Sequence, residues 1–240
     1  MDKLKAELRK LKNPAKAKIL QGFFKTGPGE YGEGDVFLGI TVPVSRALAK
    51  KYAHLSFPEI KKLLSSKIHE ERLIALLILV ENFKNGGKSE KKKIYDFYLS
   101  STKHINNWDL VDLSAEKIVG AYISGKPKKI LQKLARSKNM WERRIAIVST
   151  FYFIKNNRFE ETLLIARMLL GDTHDLIHKA VGWMLREVGK RDLVSEKKFL
   201  NLHASQMPRT ALRYAVERMT ESQKKNYLKI PRNLELKGRE

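Results

Sequence analysis

One position recurs about every 36 residues along the chain, and that period limits the fold more than any single motif does. It holds Arg72 in IHEERLIALLIL, Trp108 in INNWDLVDLSA, Arg144 in MWERRIAIVST and Lys179 in LIHKAVGWMLRE. A fifth, weaker copy puts Arg213 in PRTALRYAVERM. The segments at 66–75 and 137–146, SKIHEERLIA and SKNMWERRIA, align without gaps. In each copy the position opens an apolar run and is itself basic or aromatic. A repeat that buries the rest of its second helix while leaving its first turn free for Arg, Lys and Trp builds a binding face. Stacked copies make that face continuous.

Apolar spacings of three and four dominate and strict alternation is nearly absent, so almost every segment reads as helix. Ser56-Phe57-Pro58-Glu59 is a capping box with Pro early in the first turn. Asn107 caps a helix running to about Ile123. Pro127, Ser195 and Pro208 mark further starts, and Gly125 and Gly171 mark stops. The pattern predicts helices near 3–11, 14–25, 43–53, 57–65, 69–84, 89–101, 108–123, 127–137, 140–155, 158–170, 174–189, 196–204 and 208–219. From 57 onward they come in pairs joined by short turns. The expected fold is therefore all-α, a HEAT-like solenoid of antiparallel helix pairs with a basic concave face. Residues 1–228 are expected to form one repeat domain, with N-terminal helices and a glycine-rich loop in 1–56 and repeats in 57–220. The tail 229–240 is polar and reads as frayed.

The partner class follows from charge. The 240 residues carry a formal net charge of +22, with a pI near 10.0. Such an excess of Lys and Arg points to a polyanion, most simply nucleic acid. Lys91, Lys92 and Lys93 read as solvated surface; basic residues recurring at one repeat position do not. Cysteine is absent, which excludes disulfides and Cys-based zinc sites. The N-terminus has no apolar core of a signal peptide, and the run Leu73–Val80 is too short to span a bilayer. A cytoplasmic, membrane-free monomer is expected, since a solenoid groove needs no second copy to hold a duplex.

Trp108 and Asp112 are four apart on one predicted helix and share a face. Lys179, Trp183 and Arg186 follow i, i+4, i+7 and share another. Stacked repeats would bring two indoles, one carboxylate and a cationic cluster onto one surface. Each alone has an ordinary explanation: a Trp at helical spacing is usually core, and an Asp in a first turn serves the helix dipole. Their coincidence at equivalent positions raises the functional reading. His174 and His178 are spaced for a metal pair, but no third ligand is evident, so no metal is expected. There is no Ser-His-Asp arrangement and no carboxylate cluster for two-metal nuclease chemistry. The segment GPGEYGEG at 27–34 lacks the frame of a phosphate loop and reads as a connector, the alternative being a loop whose backbone lies against DNA.

FLGITVP (37–43), NNWDLVDLSA (106–115), WERRIAI (141–147) and HKAVGWMLREVGK (178–190) together resemble the AlkD-type DNA alkylation repair glycosylases, a HEAT-like helical family. The resemblance spans roughly residues 14–228, in the family's order; its main departure is the stretch 27–34. By motif, Trp108 and Asp112 match the family's catalytic Trp and Asp, Arg144 its DNA-contacting Arg, and Trp183 its second active-site Trp. The resemblance implies a monofunctional glycosylase acting on N3- and N7-alkylated purines in duplex DNA, with no cofactor. Lys179, Arg186, Arg72 and Arg213 would then track the DNA backbone. Two other classes fit the charge: a non-catalytic module binding distorted or branched DNA, and a scaffold for an acidic protein.

Overall fold

The computed structural model describes residues 1–233. The predicted tail falls largely on 234–240, outside the described residues. Among the described residues the chain is helical, with no strand and one isolated parallel bridge between Val36 and Ile68. It resolves into two compact units that meet in sequence between Ile118 and Val119.

The first unit contains α1 (Asp2–Lys10), α2 (Pro14–Phe23), α3 (Val42–Lys51), α4 (Phe57–Leu64), α5 (His69–Asn85), α6 (Lys88–Ser100) and α7 (Trp108–Asp112). The capping box at Ser56 is present: its backbone N–H donates to Glu59 Oε2 at 2.9 Å. Helix α5 is the core element, buried from His69 through Leu79 on every face. It packs against α3, α4, α6 and α7. This explains why its sequence lacks a polar stripe: a helix covered all round is apolar all round.

The polar residues opening α5 have internal partners. Glu70 accepts from three successive backbone N–H groups, Leu38 at 2.9 Å, Gly39 at 2.8 Å and Ile40 at 3.2 Å. The FLGI stretch thus winds around a buried carboxylate. Gly39 makes that possible: its φ is +84°, and a Cβ there would lie 2.2 Å from the Asn13 carbonyl oxygen on α2's N-terminal side. Gly39→Ala combines a left-handed conformation with a backbone clash. It is expected to lower unfolding free energy by about 2 kcal/mol or more, measured as a shift in urea midpoint. An unchanged midpoint would mean that the turn rearranges at no cost.

The second unit contains α8 (Lys129–Ala135), α9 (Met140–Ser149), α10 (Phe151–Lys155), α11 (Glu160–Met168), α12 (Asp175–Gly189), α13 (Leu193–His203), α14 (Arg209–Ala215) and α15 (Glu221–Lys229). Helix α12 is its centre and packs on α9, α10, α11, α13 and α14. The sequence pattern did not predict α15; Thr220 and Gln223 form its capping box, inside a stretch with few apolar residues.

Two predicted helices are broken, both by hydroxyl groups. The helix expected over 108–123 stops after Asp112, and a π-helical segment follows at Glu116–Gly120. Ser114 Oγ donates to the Leu110 carbonyl at 2.5 Å, while the Ser114 N–H takes the Val111 carbonyl at 3.1 Å. The helix expected over 140–155 breaks at Thr150, whose hydroxyl donates to the Ile147 carbonyl at 2.6 Å. A side-chain donor on a helix carbonyl competes with the next backbone rung.

The repeat register also needs correcting. Arg72 Nη1 donates to the carbonyl six residues back, that of Ser66, at 2.8 Å. Arg143, not Arg144, does the same to Ser137 at 3.0 Å, and His178 Nε2 pairs with the carbonyl of Asp172, again six back, at 2.6 Å. Arg72, Arg143 and His178 are thus equivalent, each clipping the turn that enters its helix. One residue on in each helix come Leu73, Arg144 and Lys179, and in α7 that register is held by Asp112, counted from the helix starts. Trp108 opens α7 and corresponds to His69. The spacing of about 36 residues equated positions a full turn apart because α7 enters its helix later than its neighbours do.

Candidate active site

The two residues singled out on α7 do meet in space. Trp108 and Asp112 both line a cleft of 450 Å³ in the first unit. Its other walls are chiefly apolar, from Leu20, Phe23, Phe24, Phe37, Ile40 and Leu73. The result is an aromatic-walled recess beside a carboxylate.

Trp108 joins a cluster of four rings in which His69, Phe37 and Phe24 all touch one another, His69 and Phe24 with centroids 5.1 Å apart. The rings of His69 and Phe37 stack at 4.4 Å, Phe37 and Phe24 at 4.9 Å, and Phe24 and Trp108 at 4.9 Å with planes 14° apart. Phe23 adds an edge contact to the indole at 5.8 Å. The indole N–H donates to the Tyr31 hydroxyl at 3.2 Å. Tyr31 comes from the glycine-rich stretch, whose N–H groups at Gly27 and Gly29 are held by Glu30 and Glu33 at 2.9 and 3.0 Å. The segment is therefore folded against the candidate site, which differs from the expected passive connector.

Beneath the stack lies a chain of charges. His69 is 2% exposed. Its Nε2 is 2.8 Å from Asp109 Oδ2 and its Nδ1 is 3.1 Å from Asp35 Oδ2. Burial disfavours the imidazolium, but the charge and hydrogen bond of Asp109 and the hydrogen bond of Asp35 outweigh it and raise the His69 pKa to about 9. Both ring nitrogens then donate. Burial works against ionised Asp35 too, yet the hydrogen bond from His69 and the positive charge of Arg72 bring its pKa below the ordinary value. Arg72 Nη2 is 2.6 Å from Asp35 Oδ1. Asn107 completes the group: its amide donates to Asp35 at 3.3 Å and its side-chain oxygen accepts from the Trp108 N–H at 2.8 Å.

This arrangement corrects the expectation for Arg72. It is 4% exposed and its guanidinium is drawn inward by Asp35 and Ser66, so it is not presented to a DNA backbone.

The remaining candidates lie in the second unit. Arg144, on α9, is also buried rather than free, at 5% exposure, and its Nη1 donates to the Leu176 carbonyl. Trp183, on α12, is half-buried against Phe151, ring centroids 5.7 Å apart. Lys179, also half-buried, pairs with Asp175 at 2.7 Å. Arg186 pairs with Glu217 and lies 3.6 Å from Glu187. Arg213 is exposed, with Thr210 within 3.5 Å. His174 and His178 serve the start of α12: His174 Nδ1 accepts from the Leu176 N–H at 3.2 Å, and His178 holds Asp172. Among the described residues no group of three or more His, Asp or Glu is placed to hold a metal ion. No helix among them is long and apolar enough to cross a membrane.

Sequence reasoning missed His69, Asp35, Asp109, Tyr31, Phe23 and Phe24. A usable signal did exist for His69: a His at the first position of a buried helix requires polar partners. Nothing in the sequence shows that those partners are Asp35 and Asp109, which are 34 and 40 residues away.

Fold and cleft together define an all-helical repeat protein with a carboxylate at the edge of an aromatic recess. The DNA alkylation repair enzyme family model matches residues 4–219, nearly the whole chain, and the protein belongs to that family. A role in DNA repair follows, with DNA as the partner. The fold is shared with a protein from Enterococcus faecalis described as a predicted DNA alkylation repair enzyme. That match has a TM-score of 0.67 at 19% identity and covers 88% of this chain and 97% of that one. It is also shared with smu.31 from Streptococcus mutans UA159, at a TM-score of 0.53 and 21% identity, covering 75% and 93%. No functionally curated protein matches the chain.

Proposed function

We propose that the protein is a monofunctional DNA glycosylase that hydrolyses the N-glycosidic bond of N3- and N7-alkylated purines in duplex DNA. The observation that carries this reading is Asp112 at an apolar recess walled by Trp108, Phe23 and Phe24.

An N3- or N7-alkylpurine is a cation and leaves as a neutral base, so the reaction needs no general acid. As the bond from C1′ to the base nitrogen breaks, its electron pair neutralises the purine and the sugar acquires oxocarbenium character. Ionised Asp112 stabilises that positive charge and orients a water. The water oxygen bonds to C1′ and its proton passes to the carboxylate and then to solvent. Trp108, at the wall of the recess, favours the cationic nucleotide by cation–π attraction of about 0.5–2 kcal/mol. Lys179, Arg186 and Arg213 follow the DNA backbone without reading sequence; Arg144, buried and tied to the Leu176 carbonyl, is not assigned a phosphate. In this reading no lysine, Lys16 of the cleft wall included, serves as a nucleophile, so the enzyme is monofunctional and acts as a monomer without a cofactor.

The test is release of free base from methylated duplex DNA by the full chain. Free 3-methyladenine or 7-methylguanine is the expected product. No release, with tight duplex binding retained, would move the assignment to a non-catalytic module for distorted DNA. Duplex affinity is expected to fall steeply with salt; an affinity indifferent to salt would favour an acidic protein partner instead.

A further inference from the structure

We infer that His69 is a positioning residue: a buried imidazolium, clamped between Asp35 and Asp109, that fixes α7 and so sets where Trp108 and Asp112 stand in the cleft. The part of this concerning rate rests on the glycosylase reading; the part concerning geometry does not.

Helix α7 needs such a clamp. It has only five residues, Trp108–Asp112. A helix that short has too few internal hydrogen bonds to persist on its own, and the Ser114 hydroxyl ends it early by taking the Leu110 carbonyl. Both residues that frame its start are tied to one buried group. Asn107 donates to Asp35 at 3.3 Å, and Asp109 accepts from His69 at 2.8 Å. Asp109 lies between the two site residues, one position after Trp108 and three before Asp112, so its anchorage fixes both. The indole's stacking partner is tied to the same residue, because the His69 ring meets Phe24 at 5.1 Å and Phe24 stacks on Trp108 at 4.9 Å.

The clamp is held by charge, which makes it testable. The groups facing His69 are Asp109 from α7, Asp35 from the loop before FLGI, and Arg72 from its own helix. A neutral imidazole has one donor and cannot serve both carboxylates. Because the folded pKa is raised from 6.5 to about 9, the clamp contributes fully below the unfolded value and is lost as pH rises through about 9.

The experiment uses the full chain labelled with 5-fluorotryptophan. Its three tryptophans give three fluorine resonances, and Trp108→Phe identifies the one that matters. Between about pH 6 and pH 10 the Trp108 resonance is expected to shift with a midpoint near that of His69, about 9. In His69→Gln the shift should vanish, leaving only any contribution from the Tyr31 hydroxyl. Asp109→Asn, which keeps the shape and removes the charge, should lower the midpoint, and it serves as the test if His69→Gln does not fold. Single-turnover base release should fall in wild type over the same alkaline range. In His69→Gln it should be about tenfold slower at neutral pH, with no alkaline limb and with duplex affinity unchanged. A Trp108 resonance that titrates identically in wild type and both variants overturns the inference, as does wild-type base release by a folded His69→Gln. A wild-type protein that releases no base overturns the glycosylase reading instead, and the fluorine titration then decides the clamp by itself.

Discussion

Asp112→Asn is expected to slow base release from alkylated duplex DNA by about 10²–10³-fold or more while leaving duplex affinity nearly unchanged. The substitution preserves shape and removes one charge, so it isolates the electrostatic role. In the proposed reaction the carboxylate does two things that an amide cannot: it opposes the positive charge growing on the sugar, and it accepts the proton of the attacking water. The placement of Asp112 supports such a role. It is the last residue of α7, where an acidic side chain faces the negative end of the helix dipole and does nothing for helix stability. Single-turnover release of 3-methyladenine, with enzyme in excess over sites at matched occupancy, separates chemistry from binding. A variant that retains wild-type release would remove Asp112 from the mechanism.

Glu70→Ala is expected to be among the most damaging substitutions to the fold, costing on the order of 3 kcal/mol or more. The carboxylate accepts three consecutive buried N–H groups, those of Leu38, Gly39 and Ile40. Without it, each donor loses its partner in a place without alternatives, and a buried orphaned donor costs about 1–3 kcal/mol. The loss reaches the site as well, since Phe37 and Ile40 wall the cleft that Trp108 and Asp112 share. Chemical denaturation followed by circular dichroism reads the stability; base release at a temperature where the variant remains folded reads the site. A midpoint within experimental error of wild type would show that water or a shifted backbone replaces the carboxylate.

The sequence made most of the helices legible because most of them bury a stripe at a spacing of three and four; α5, covered on every face, and α15, which buries no residue, do not. It also made Trp108 and Asp112 legible as a pair, since four residues on a helix keep a face. What it hid has a common cause: hydrogen bonds between residues far apart. The helix through 108–123 breaks on a serine hydroxyl whose partner carbonyl is only four residues away, but that serine also meets Tyr98 at 2.9 Å, and no local pattern announces that contact. Arg72 read as a surface cation because nothing near it in the chain is acidic except Glu70 and Glu71; its partner, Asp35, lies on the far side of the FLGI turn. Glu70, read as one of several charges opening a helix, turned out to organise three residues some thirty positions earlier.

The clip shared by Arg72, Arg143 and His178 carries a lesson about how this chain tolerates change. Each reaches the carbonyl six residues behind it and fastens the entry to its helix. Two different side chains do one mechanical job, so what the architecture demands there is reach and an available proton. Charge is incidental to that demand. Swapping Arg for His at such a joint resembles replacing a bolt with a pin. A residue chosen for its fastening is easily mistaken, on paper, for one chosen to greet a phosphate.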